Sequence, residues 1–344
     1  MRPPRRVTQG RLALLTVSVL APSLLALAAC SYGNPPVPPA VQSATATPSA
    51  TKITATTPQH ASPLTGLDVK TAANVALRVV AVPVAIGPGL PAPSAAIGDA
   101  EVAYQSFGPG ATSRVVAMYQ AAPGGVVGPV AVTQPTDGRL LPPVRGLLAT
   151  TGGTAKFVRN LAKSGVVRLD PAHQPTVFRS AGGAVYADVR AARRYAGIRQ
   201  PPTLWSFASG EQPLVTVGDR PASQLTVAVP GQAPVVWRLA STRAFWTTSV
   251  GGTPVSVKSV VVMMTPYKTA LDHFPKGHLF NVPKVFGRGN AWVVSGGQSS
   301  TGTYDHPGPA SVANLVDRAG FPMLLTPGRV WVMLVPPGTK VTKR

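Results

Sequence analysis

One cysteine in 344 residues excludes a disulfide framework, a cysteine-based zinc site and an iron–sulfur cluster. Acids are nearly as scarce. Eleven Asp and Glu stand against 32 Lys and Arg, a formal net charge of +21, which leaves little material for carboxylate chemistry. The five histidines, His60, His173, His273, His278 and His306, show no His-Glu-x-x-His spacing. Asp272-His273 with His278, and Asp305-His306, read better as residues of Pro- and Gly-rich surface loops than as ligands, so neither a metal nor a cofactor is expected. No Gly-x-Ser-x-Gly elbow and no Gly-Lys-Ser/Thr phosphate loop occur. Gly287-Arg288-Gly289 has Trp292 where a dinucleotide loop needs its third glycine. Ser49-Ala50-Thr51-Lys52 matches Ser-x-x-Lys formally, but in a low-complexity stretch and without a Lys-Thr-Gly. Asp99 and Glu101 form the one close carboxylate pair. Strand spacing puts both on one face, as an acid/base pair or, more simply, a solvated edge.

What is abundant is proline (38) and glycine (34), with 44 % hydrophobic residues, enough to bury a core. Residues 1–11 carry Arg2, Arg5, Arg6 and Arg11 and no acid, and an apolar run over 12–29 ends at Cys30. That is the pattern of an export signal. Its last residues, Leu27-Ala28-Ala29-Cys30, resemble a bacterial lipobox, in which a small pair precedes the thiol that receives a diacylglycerol. An 18-residue run broken by Pro22 is marginal for a spanning helix, and no other stretch reaches that length. Residues 1–29 are therefore expected to be a lipoprotein signal, with Cys30 acylated and carrying the chain on the extracytoplasmic face of the cell membrane. Residues 30–61, rich in Pro, Ala, Thr and Ser, read as a tether.

Beyond 61 the pattern predicts an α+β fold: a mixed α/β domain over 62–202, a mainly β domain over 203–338, and a basic tail over 339–344. In the first, strands are expected at 76–86, 101–107 and 114–119, the last two as a hairpin around Gly108-Pro109-Gly110. A helix is expected over 154–164, capped by Thr154 and ended by Gly165, with Phe157, Val158 and Leu161 on one face and Lys156, Arg159 and Lys163 on the other. A shorter helix is expected from Asp188 to Tyr195. In the second domain strands are expected at 214–217, 225–229, 235–239, 255–264 and 291–294. A covering helix is expected over 310–320, and a hairpin of Leu324-Leu325 with 330–335 around Pro327-Gly328.

The basic residues cluster. Eleven Lys or Arg and only two acids fall between Arg139 and Arg199. Such a segment raises the expectation of an anionic partner, and an exported protein without a nucleic-acid motif meets lipid headgroups or anionic wall polymer rather than nucleic acid. The candidate anion-binding residues are Arg114, Arg139, Arg145, Lys156, Arg159, Lys163, Arg179, Arg190, Arg193 and Arg194, with α-helical spacing inside the two groups 156–163 and 190–194. A solvated face from arginine-rich composition is the plainer alternative.

Ser62-Pro63-Leu64-Thr65-Gly66-Leu67, Ala100-Glu101-Val102-Ala103-Tyr104, Arg114-Val115-Val116-Ala117-Met118-Tyr119, Gly128-Pro129-Val130 and the tail from Gly320-Phe321-Pro322 to Val330-Trp331 together resemble the YerB-like bacterial lipoproteins, over about 62–338. The resemblance implies a membrane-anchored two-part envelope protein. It also implies Arg-Ser-x-Arg after Gly-Pro-Val, where Ala131-Val132-Thr133-Gln134 stands. A His and an Asn are implied at Gly182-Gly183-Ala184, and a Glu at Pro109, while Arg114 and Gly110 are kept. If those residues make a phosphate-binding or catalytic pocket in relatives, this chain has lost most of it. Two readings follow: a non-catalytic lipoprotein that binds or scaffolds in the cell envelope, and an enzyme acting on a phosphorylated lipid-linked or wall precursor. The second needs several arginines clamping a pyrophosphate and a carboxylate-held metal.

Overall fold

Val330-Trp331-Val332-Met333-Leu334-Val335 is buried along its whole length on both faces, as a parallel strand in the middle of a sheet must be. This strand organises the computed structural model, which describes residues 60–208, 219–240, 245–273 and 276–344. The export signal, the lipobox, Cys30, the tether before His60 and the strand expected at 214–217 lie outside the described residues.

The first half follows its sequence signals closely. One turn of helix, α1 (Ala72–Val75), precedes β1 (Val80–Ile86), and β2 (Val102–Phe107) with β3 (Ser113–Tyr119) makes the expected hairpin. After β4 (Val126–Val127) and α2 (Asp137–Leu140), β5 (Leu147–Ala149) lies parallel to β1. Helix α3 (Ala155–Lys163) starts where Thr154 Oγ1 accepts the Phe157 N–H, and Gly165 at φ 77° ends it. It leads into β6 (Val167–Leu169). β7 (Phe178–Ala181) and β8 (Ala184–Asp188) form a hairpin that joins β4, and Asp188 caps α4 (Val189–Arg193) through the N–H groups of Arg190 and Ala191.

Among the described residues the elements of the second half are strands: β9 (Arg220–Pro221), β10 (Gln224–Ala228), β11 (Val235–Leu239), β12 (Trp246–Val250), β13 (Thr253–Val257), β14 (Ser259–Met264), β15 (Tyr267–His273), β16 (Lys276–Pro283), β17 (Gly287–Ser295), β18 (Gln298–His306), β19 (Asn314–Asp317), β20 (Val330–Val335) and β21 (Lys340–Lys343). The fold is α+β, mostly β in its C-terminal part.

An 11-stranded sheet runs β19-β18-β17-β14-β20-β2-β3-β1-β5-β6, with β9 joined to β18. Strand β20 lies between β2 and β14, parallel to both, so the sheet crosses position 202 without interruption. Alternate residues feed opposite faces. Val80, Val82, Val84, Trp331 and Met333 face a second sheet, ordered β13-β12-β11-β10-β21, and the apolar side of α4. Ala81, Val116, Met118, Val332 and Leu334 face α2, α3 and the segment around Leu204 and Trp205. Trp237 of the second sheet meets Trp331 with ring centroids 5.8 Å apart.

Four local expectations give way to tertiary pairing. The run 255–264 breaks at Lys258 into β13 and β14, which belong to different sheets. The helix expected over 310–320 is the strand β19, where alternation of buried Leu315 and Asp317 outweighs the 3.6 period. Leu324-Leu325 does not pair with β20. Leu325 bridges Phe207 instead, and both edges of β20 are taken by β2 and β14. The basic end at 339–344 is not a tail, because Lys340–Lys343 pairs with β10 as an edge strand.

Candidate functional site

Strands β1, β2, β5, β14 and β20 all point the same way, and β1 and β2 stop at Ile86 and Phe107. A cleft of about 450 Å³ opens just beyond these ends, the place where ligands sit on open sheets containing parallel strands. Its apolar surface comes mainly from Ala85, Ile86, Leu90, Phe107, Val130 and Val132, and its uncharged polar side chains from Ser106, Thr112, Ser113, Gln134, Thr151 and Asn281. The lining carries one charged side chain, Arg114.

Arg114 is not free. It opens β3, is 6 % exposed, and its Nη1 and Nη2 each donate to a carboxylate oxygen of fully buried Asp137 at 2.8 Å. Nη2 also donates to the Val132 carbonyl at 3.2 Å, and Asp137 Oδ2 accepts the Gln134 N–H at 2.8 Å. A bidentate pair of this kind holds the loop 130–137 to the sheet and neutralises the arginine. Of the three guanidinium nitrogens, Nε alone has no partner among the described residues. Asp137, Ser106 and Asn281 are not among the residues the sequence points to. Pro135-Thr136-Asp137-Gly138 does carry a helix-start signal, and that signal is the one pointer to the aspartate.

The other basic residues go elsewhere. Arg139 extends toward the Pro283 carbonyl at 3.5 Å, and Arg145, at φ 52°, donates to Gln200 O at 3.2 Å. Lys156, Arg159 and Lys163 are exposed on α3, Arg190 on α4, Arg194 at the C-terminal cap of α4, and Arg179 on β7. Leu161 of α3 packs on one face of the large sheet, whereas Val189 and Ala192 of α4 pack on the other. The two basic groups therefore stand on opposite sides of the sheet and do not form one surface. Arg193 turns inward and donates to the carbonyls of Gln120 and Ala122. Burial holds its guanidinium below the usual range.

Asp99 and Glu101 separate as well. Asp99 is exposed and pairs with Arg329 at 3.2 Å. Glu101 is buried, accepts the N–H groups of Gln120 and Ala121, and has its carboxyl pushed up by desolvation. Asp305 pairs with Arg288 at 2.9 Å, while His306 points inward, its Nε2 2.9 Å from Ser311 O and its ring edge-on to Phe286. Burial pushes the His306 imidazole down. Among the described residues no cluster of three or more His, Cys, Asp or Glu is placed to hold a metal ion, and no helix is long and apolar enough to cross a membrane.

Several positions singled out by the resemblance meet at the cleft: Pro109, Arg114, Ala131, Val132 and Gln134 line it. Gly182 and Gly183 form the turn of the β7–β8 hairpin, whose Val185 carbonyl accepts the Val130 N–H at 2.7 Å. Residues 64–199 match the N-terminal domain, and residues 237–332 the C-terminal domain, of a protein family of unknown function, DUF3048. The crystal structure of the YerB protein from Bacillus subtilis superposes with a TM-score of 0.66 at 16 % identity, covering 82 % of this chain and 99 % of that one. That likeness is one of fold. No curated protein matches the chain.

Proposed function

Since the chain belongs to the YerB-like DUF3048 family through both of its domains, we propose that it is a membrane-anchored lipoprotein of the cell envelope with a non-catalytic role, holding a small uncharged ligand in the cleft at the sheet's carboxyl ends. One observation carries this reading: the single arginine of the cleft is already bonded through both terminal nitrogens to Asp137, so the lining presents apolar surface and neutral hydrogen-bonding groups. An anion entering there would have to compete with a buried carboxylate for the guanidinium. The enzyme reading needs several converging arginines, yet Arg139, Arg145 and Arg179 do not line the cleft.

The lipobox Leu27-Ala28-Ala29-Cys30 supports the anchor. Two or three acyl chains on one cysteine hold a protein stably to a membrane. The exposed Lys156, Arg159 and Lys163 on one side, and Arg190 and Arg194 on the other, support a general attraction to anionic headgroups or wall polymer, weakened by salt beyond about 8 Å.

Thermal unfolding of the full chain with panels of uncharged and phosphorylated small molecules tests the cleft. A ligand at 100 times its Kd adds about 2.7 kcal/mol. Uncharged compounds should raise the melting temperature, and Gln134→Trp, which fills the cleft, should cancel the rise. Stabilisation by phosphorylated compounds alone would refute the reading. For the anchor, Cys30→Ala should leave an unprocessed precursor without lipid label, and unchanged labelling would overturn it.

A further inference from the structure

The cleft does not end at Asn281. A smaller lobe of about 150 Å³ adjoins it, sharing Phe107, Gly108 and Asn281 as a common wall and continuing over Val229, Pro230, Thr269 and Pro336. All the residues of the first lobe but Asn281 come from the N-terminal half, and all of the second but Phe107 and Gly108 from the C-terminal half. We propose that the two lobes are successive subsites for a linear, uncharged glycan of at least two sugar rings. This rests on the reading of the cleft given above and adds the class and length of its ligand.

The partition between the lobes is fixed in advance. Tyr267 Oη accepts the Phe107 N–H at 3.2 Å and donates to the Leu334 carbonyl, tying the base of the β15–β16 hairpin to the ends of β2 and β20. Gln232 Nε2 donates to Gly108 O at 2.6 Å, tying the β2–β3 turn to the second sheet. Thr269 and Asn281 face each other across the hairpin as a registered pair, so the amide and the hydroxyl stand side by side where the lobes meet. A chain that overruns the first lobe meets a second set of contacts held in place before it arrives, at little ordering cost.

The chemistry of the groups selects the class. Ser106, Ser113, Gln134 and Asn281 make no side-chain hydrogen bond to a described residue, and all four line the first lobe. Hydroxyls and carboxamides both donate and accept, as the hydroxyl and acetamido groups of neutral sugars require. Apolar patches from Ile86, Phe107 and Val130 suit the C–H faces of the rings. An extended peptide is a poorer match. Its main-chain mode of recognition is addition to an open strand edge, and this groove lies across strand ends.

Calorimetric titration of the full chain with β-1,4-linked N-acetylglucosamine oligomers of one to four rings tests the proposal, with an acetylated, amidated tri-alanine as the comparison. Affinity should rise by about tenfold or more between one and three rings, roughly 1.4 kcal/mol, and then level off. Thr269→Trp, an exposed position that blocks the second lobe, should remove that rise. Asn281→Ala should weaken every length, with circular dichroism showing that both variants are folded. If affinity does not depend on ring number, or Thr269→Trp leaves the dependence intact, the second subsite is wrong while the cleft stands. If the tripeptide binds and the sugars do not, the glycan class is wrong. The melting-temperature response to uncharged compounds decides the cleft separately.

Discussion

Arg114 and Asp137 show what a residue-level reading can and cannot reach. Arg114 was singled out from sequence, but its partner is 23 positions away, in a loop brought over the start of β3 only by tertiary folding. Spacing carries no trace of that contact, so the residue was legible and its engagement was not. Removing one member of a buried pair strands the other charge, which costs about 3–5 kcal/mol. Asp137→Ala should therefore lower the urea midpoint strongly, while Lys156→Ala, at an exposed helical position, should leave it nearly unchanged. Glu101 gives a second test. Desolvation outweighs its backbone donors and Arg193, so the folded chain keeps the proton at pH values where the unfolded chain, near 4.5, has released it. The folded form then binds more protons, and stability falls as pH rises from about 4.5 through the raised value. The urea midpoint of the parent should drop relative to Glu101→Gln over that window, and parallel pH profiles would contradict the assignment.

At the scale of elements, whatever was encoded locally was legible. Helix α3 obeys its cap, its Phe157–Leu161 stripe and its terminal glycine, and the β2–β3 hairpin follows from Gly108-Pro109-Gly110. Thr154→Ala should cost about 1 kcal/mol and Leu161→Ala about 2–5 kcal/mol in chemical denaturation. What was illegible depended on neighbours far along the chain. Pro327-Gly328 is a sound turn signal, yet the strands around it have other partners. Asn314–Asp317 became a strand because β18 offered it an edge. The same edge explains a glycine. A Cβ at Gly302 would lie 1.9 Å from Val316 O and 2.5 Å from Met323 Cε, so β19 must shift for any other residue to fit. Gly302→Ala should raise amide exchange in β18 and β19 while exchange in β1 and β3 stays as it was.

For the whole molecule, the α+β class and the concentration of strands beyond 202 were readable from composition and turn spacing. The sharing of one sheet by the two halves was not, since a parallel neighbour leaves no hairpin signature. The cleft's polar groups come from β2, the β2–β3 hairpin, the 130–137 loop, the segment after β5 and β16, and no sequence window contains them together. A chain ending at Arg329 would leave β2 and β14 without the strand between them. It should be insoluble or rapidly proteolysed even though every residue of the 64–199 domain match is intact. A soluble, cooperative product from that truncation would show that the first half folds alone.

The position of β20 also sets a timetable. A ribosome delivers β2 more than two hundred residues before the strand that closes its outer edge, and β14 waits for the same partner. Through that interval the nascent chain displays the unpaired edge of β2, joined over its last stretch by that of β14, both apolar and the kind of surface that seeds intermolecular pairing. Completion must then form contacts of very high sequence separation, which is slow. The open edges of β2 and β14 therefore expose the chain to mispairing until β20 is made, so the order of synthesis weighs on yield alongside the stability of the finished fold.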